Sequence, residues 1–164
     1  MPIGSDYFDR LRQDGCFYVD KTEMLYELFH EKGSTVTLFT RPRRFGKTLT
    51  MRMIESFFDI NRDSGALFEG LDIMKHEAFC AEWRNKCPVL FITLKDAESL
   101  RFETAYAKLK AIIADVCKKH GYLLESERVD KDDREAYAKL KAQEGSDADV
   151  RNSLLILSRM MCAH

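Results

Sequence analysis

Residues 40–50 read TRPRRFGKTLT, and the structure expected of the whole chain turns on them. Gly46, Lys47 and Thr48 match the second half of the phosphate-binding pattern G-x-x-x-x-G-K-S/T. In that loop backbone amides surround the phosphates, the lysine reaches the outer ones and the hydroxyl helps to hold magnesium. Arg41 stands where the pattern has its first glycine, a position that usually needs an unusual backbone conformation or a close approach to phosphate. Pro42 offers rigidity in its place, because it fixes its own φ and biases Arg41 toward extended geometry. Arg43 and Arg44 suit bidentate phosphate contacts, or equally a contact with some other acid outside the loop. The string by itself leaves two readings open, a nucleotide site and an arginine-rich structural turn.

The flanks narrow the choice. TVTLFT (35–40) is short, apolar and β-branched, the pattern of a strand covered on both faces. From Lys47 the period turns helical, with Leu49, Met53, Ile54, Phe57 and Phe58 on a broad apolar face that runs to about Asp59. A strand, a loop and a helix in that order are the context a phosphate loop requires, and the amides and dipole of a helix start favour an anion.

Upstream, YVDKTEMLYELFHEKG (18–33) sets Leu25, Leu28 and Phe29 at helical spacing, with Asp20 and Glu23 as a capping box and Gly33 as the stop. Downstream, NRDSGALFEG (61–70) is a polar connection and IMKHEAFCAEW (73–83) a short helix that anchors Trp83. CPVLFITL (87–94) predicts a second buried strand, with Pro88 at its first position, where a missing amide does least harm. The rest is helical. One helix covers 99–120 up to Gly121, another 131–143, and a third 147–162 with Val150, Leu154, Leu155, Leu157 and Met161 as its apolar set. AYAKLKA occurs at 105–111 and again at 136–142, but the flanks do not extend the match, so it reads as a reused amphipathic phrase. The charged run at 125–135 is a solvated loop and helix start. Strands separated by helices predict an α/β fold: a parallel sheet flanked by helices, with a helical C-terminal half. The expected segments are 1–34 as N-terminal segment and helix, 35–98 as strand-helix-strand core and 99–164 as helical region.

Composition excludes several classes. A length of 164 residues suits one domain, and a formal net charge of −1 argues against a globally basic nucleic-acid protein, so any polyanion contact must be a local patch. There is no run of 18 apolar residues and no apolar signal core, so a cytoplasmic setting without a membrane is expected. The five cysteines form no C-x-x-C pair, which suits buried or free thiols in a reducing compartment. His76, Cys80 and Cys87 match no standard zinc spacing and are taken as core residues.

Taken together, YVDKT, FTRPRRFGKTLTMRMIESFFD, LFEGLDI and CPVLFITLKD resemble the AAA-ATPase-like family of bacterial proteins, whose phosphate loop has the form R-P-R-R-F-G-K-T. The resemblance spans roughly residues 2 to 160, and the loop without its first glycine is the family's ordinary form. It implies an AAA-like, P-loop NTPase fold that binds ATP with magnesium, often followed by a PD-(D/E)XK-type nuclease domain. Carried over to this sequence, it makes Lys47 the ligand of the outer phosphates and Thr48 that of magnesium. The amides of Arg43, Arg44, Phe45, Gly46, Lys47 and Thr48 form the cradle. Tyr18 to Thr22 is expected near the base, or else as a capping box with a buried tyrosine.

Hydrolysis also needs an acid at a strand end to position magnesium and a residue to orient water. By the resemblance that strand is similar to LIDEYD and follows SLLILSRMM (153–161), and the sequence stops at His164. The expectation is therefore a fragment that lacks the middle of its sheet, binds nucleotide without efficient turnover, exposes strand edges and tends to self-associate. Asp96, at the end of the second expected strand, is a weaker alternative as the magnesium acid: Lys95 interrupts the apolar run before it and Ala97 stands where a glutamate is expected. Asp96 and Glu98 are better taken as exposed strand-end or capping residues. Catalytic residues stay unassigned. Two rivals remain: a nucleic-acid-contacting module that uses Arg41, Arg43 and Arg44, and a small P-loop kinase, for which neither lid nor acceptor site is evident.

Overall fold

The computed structural model describes residues 7–30, 36–40, 42 and 45–164, and among these every regular element is helical. They are α1 (Phe8–Gln13), α2 (Glu23–His30), α3 (Lys47–Phe58), α4 (Gly65–Phe68), α5 (Glu77–Trp83), α6 (Phe102–Lys119), α7 (Lys131–Lys141) and α8 (Asp147–Ala163), with 3-10 turns at Asp72–Lys75 and Gly121–Glu125. The chain divides into two compact units, Met1–Val89 and Leu90–His164.

The α/β expectation is overturned. Residues 36–40 and 88–94 form no strand, and the β-pairing among the described residues is a single parallel bridge between Asp59 and Cys87. Val36 and Leu38 are each 82% exposed and Leu94 is 61% exposed, so these apolar segments are not the sheet interior that their composition suggests. The physical reason is that β-branched, apolar residues only suit a strand. A ladder also needs a neighbour at hydrogen-bonding distance, and that is a non-local requirement. The Gly33 helix stop lies outside the described residues.

In the first unit the apolar face of α3 does what its period predicts. Met53, Phe57 and Phe58 are buried, and Leu49 and Ile54 pack against the same core. Phe57 sits among aromatic rings, edge-on to Phe68 at 5.2 Å and stacked on Phe79 at 5.8 Å. Phe8 of α1, Leu25 of α2 and Ile73 of the 72–75 turn complete the core, and Trp83 meets Phe29 at 4.6 Å.

The end of α3 is fastened by polar groups. Asn85 takes the left-handed conformation, with φ 57°, a conformation asparagine tolerates better than most residues. Its amide nitrogen donates to the carbonyls of Ser56 and Asp59, and its oxygen accepts from the amide and hydroxyl of Ser64. Arg62 bridges Asp9, Glu55 and Asp59, which ties α1 to α3 and to the loop beyond it.

The second unit is a helical assembly of α6, α7 and α8 around Ile113, Cys117, Leu123, Tyr137, Leu140, Val150, Leu157 and Met160. α7 starts at Asp130, whose carboxylate accepts from the amides of Asp132 and Asp133. α8 starts with a capping box between Ser146 and Asp149. The apolar stripe of α8 differs from the expected one. Val150, Ser153, Ile156, Leu157 and Met160 are buried, whereas Leu154 and Leu155 are exposed. The repeated phrase also parts company with itself. Tyr137, in the second copy, is fully buried, while Tyr106, in the first, reaches Asp147 at 2.9 Å from a half-buried position.

Among the described residues no helix is long and apolar enough to cross a membrane.

Candidate functional site

Gly46 is the N-cap of α3 and lies in the left-handed region, with φ 73° and ψ 21°. Glycine enters that region without the Cβ clash that other residues meet, which accounts for a glycine here. Its carbonyl accepts from the amide of Thr50 at 2.8 Å and opens the helix. Lys47 and Thr48 occupy the first turn and are exposed, beside amides that have no acceptor within the helix. That turn carries no acidic residue to answer the positive end of the dipole. Phe45 is exposed. Arg41, Arg43 and Arg44, the basic part of the loop, lie outside the described residues.

The 18–22 segment runs alongside. Asp20 does not cap α2 in the expected box with Glu23. One of its carboxylate oxygens accepts from the amide and hydroxyl of Thr22 at 2.8 and 2.7 Å, and the other from the amide of Asp72 at 2.7 Å. Thr22 is buried, and its hydroxyl oxygen accepts from the amide of Ile73 at 3.1 Å. Glu23 pairs instead with His76 at 2.9 Å. Asp20 and Thr22 therefore pin this segment to the 72–75 turn. Tyr18 packs edge-on to Phe8 at 5.4 Å, and its hydroxyl reaches the Met53 sulfur on α3 at 3.1 Å. Burial first, then the charge of Asp20, push the Tyr18 phenol up to about 12, so it stays protonated across the working range.

Tyr18, Val19 and Lys21 come together with Leu11, Phe17, Phe45, Gly46, Leu49 and Thr50 around an open cleft of about 440 Å³. Its described walls are apolar, hydroxyl-bearing or cationic, with no carboxylate among them. Among the described residues other than its chain neighbours, the atom that a Cβ built on Gly46 would meet is the Lys21 ammonium, at 3.9 Å. Gly46, Lys47 and Thr48 at the start of α3, with the Lys21 ammonium beside them and no acidic residue in the first turn, fit a polyphosphate by their chemistry. The sequence places Lys21 only within the Tyr18–Thr22 span and gives it no role of its own. Lys21 is 25 residues before Gly46, and no local period links the two.

Asp96 and Glu98 belong to the second unit, where Asp96 lies exposed in a turn closed by the Ala97 amide on the Leu94 carbonyl. It is a turn residue rather than a strand end. Glu98 is exposed, and its backbone carbonyl accepts from Lys108 Nζ at 2.7 Å. The Cys80 thiol, raised by burial, donates to the Ile73 carbonyl at 3.3 Å. Among the described residues no cluster of three metal-ligating side chains occurs.

Asp20 gives a pH signature. Burial alone would raise its carboxyl, but the amides of Asp72 and Thr22, the Thr22 hydroxyl and the charge of Arg12 outweigh burial and hold it below its ordinary 3.8. A carboxylate with a depressed folded-state pKa stabilises fully above its unfolded value, and that stability is lost as pH falls through the folded one. Asp20→Asn is expected to cost roughly 1 kcal/mol at pH 7, read from urea unfolding by fluorescence of Trp83. The gap to the parent should close below pH 3.8. A gap that is unchanged at low pH would show that the charge is not what Asp20 contributes.

The family model described as Predicted AAA-ATPase matches residues 2–156. No curated protein and no solved structure was found to match the chain. The family is described as an ATPase one, so nucleotide binding attaches to the chain in that general sense. With a match that takes in both the 18–22 segment and the loop at the head of α3, the chain belongs to the predicted AAA-ATPase family.

Proposed function

We propose that this chain binds Mg-ATP at the head of α3, with Gly46 giving the phosphates close access, Lys47 taking the outer phosphates and Thr48 serving as the protein ligand of magnesium. The observation that carries the reading is Gly46 in the left-handed conformation at the N-cap, followed at once by an exposed Lys47 and Thr48 in a turn without an acidic residue. First-turn amides and the helix dipole supply a fixed positive potential there. The apolar walls of the neighbouring cleft, Phe17, Val19 and Leu49 among them, suit the base. Bound magnesium would offset the charge of the β- and γ-phosphates.

The reading is one of binding rather than turnover. Hydrolysis needs an acid to position magnesium and a group to orient water, and the described walls of the cleft supply neither. Titration with Mg-ATP tests the proposal. Lys47→Ala removes a charge-assisted phosphate contact and is expected to weaken binding about 10- to 100-fold, the equivalent of roughly 1.5–3 kcal/mol. Equal affinity in the two proteins would refute it. An oligonucleotide that binds in a salt-dependent way and is not displaced by ATP would favour a nucleic-acid role for the basic loop instead.

A further inference from the structure

We propose that Lys21 is a second phosphate-contacting lysine of this site, brought to the loop from outside it by the pinned 18–22 segment. The inference rests on the nucleotide reading above and adds to it a ligand that lies outside the phosphate-loop pattern.

The first observation is position. The Lys21 ammonium lies 3.9 Å from where a Cβ on Gly46 would be, at the left-handed glycine that caps α3. It also lines the cleft that continues from the loop. The second is how it gets there. Its neighbours on either side are committed elsewhere, Asp20 to the amides of Thr22 and Asp72, and Thr22 to the amide of Ile73. Those bonds cross 51 and 52 residues of sequence and fix the backbone on both sides of Lys21. The lysine is thereby held toward Gly46 at little further loss of chain entropy, which is the preorganisation a binding residue needs.

The third observation is electrostatic. Among the described residues no carboxylate pairs with Lys21, and it is exposed. An ammonium beside the positive end of α3, whose first turn already carries Lys47, meets like charge there. An anion with several charges reverses that balance, because it can accept from both ammoniums and from the first-turn amides together. The two lysines approach from different segments, so they can take different phosphate oxygens rather than compete for one.

The test uses isothermal titration with Mg-ATP on the parent chain, Lys47→Ala, Lys21→Ala and Lys21→Arg, at low and at raised salt. Lys21→Ala is expected to weaken Mg-ATP binding about 10-fold, to leave melting without nucleotide unchanged, and to flatten the fall of affinity with added salt. Lys21→Arg keeps the charge and should recover most of the loss. If Lys47→Ala loses affinity while Lys21→Ala binds as the parent does, the role of Lys21 is overturned and the nucleotide reading stands. If Lys21→Ala binds more weakly with an unaltered salt dependence, Lys21 acts through structure and the proposal also falls. If the parent itself does not bind Mg-ATP, both readings fall together.

Discussion

Phe57→Ala is expected to destabilise the first unit by roughly 3–5 kcal/mol, the range for deleting a fully buried aromatic ring. Phe57 has no exposed surface, and its ring is held by Phe58, Phe68 and Phe79 on three elements, α3, α4 and α5. None of those partners can follow the truncated side chain without leaving contacts of its own, so the space stays open and the loss includes a cavity cost as well as lost transfer energy. Domains of this size are stable by only about 5–15 kcal/mol in total, so the variant should be partly unfolded at modest urea. Trp83 is the chain's only tryptophan and packs at the edge of this core, so its fluorescence reports on this unit. A midpoint close to the parent's would mean that the aromatic cluster can collapse around the gap. Because α3 carries Gly46, Lys47 and Thr48 at its head, Mg-ATP should raise the melting point of this variant as it does the parent's if nucleotide binds at α3.

Tyr137→Ala is the corresponding change in the second unit, again with an expected loss of about 3–5 kcal/mol. Here a conservative partner separates two contributions. The buried Tyr137 hydroxyl is placed against the carbonyls of Cys117 and His120, at 2.5 and 2.7 Å. The Cys117 carbonyl lies in the last turn of α6, where a helix has no amide of its own left to satisfy it, while the His120 carbonyl at the C-cap also accepts from the amide of Leu123 at 3.1 Å. A side chain from α7 therefore caps α6, and burial raises the phenol well above its ordinary value so that the proton stays in place. Tyr137→Phe keeps the ring and should cost roughly 1–3 kcal/mol, the penalty for leaving a buried acceptor unpaired. Thermal melting followed by far-UV circular dichroism would order the proteins as parent, Phe, Ala. A Phe variant as stable as the parent would show that water reaches those carbonyls, and the capping account would be wrong.

The two units differ in how far sequence revealed them. α3, α6, α7 and α8 were legible because a helix satisfies its own backbone, so an apolar period and an end signal nearly suffice. Even there the buried stripe of α8 departs from its hydropathy. Leu154 and Leu155 look like core residues by hydropathy, but packing takes Ser153 and Ile156 instead. The segments 35–40 and 87–94 show the opposite limit. Their residues are good strand formers, yet pairing depends on a partner chosen across the whole chain, which composition cannot supply.

At the candidate site the division is similar. Gly46, Lys47 and Thr48 were legible because they are contiguous and open a periodic helix. Asp20 looks like a local cap in the sequence, because the nearer partner, Glu23, fits a familiar spacing. Its amide donor at Asp72 is 52 residues away. Lys21 falls within the Tyr18–Thr22 span expected near the base, but no local pattern joins it to Gly46, 25 residues on.

The alternation along residues 20–22 carries a consequence for sequence change. Asp20 and Thr22 are fastened to one neighbour and Lys21 to the side facing the loop, so each position's role depends on its parity. A point substitution there removes one contact. A single-residue insertion or deletion would swap the sides of all that follow it, sending the ammonium toward the 72–75 turn and a carboxylate toward the head of α3. Relatives should therefore keep this short phrase free of gaps even where its individual letters drift, while changes of length accumulate in connections such as 61–63.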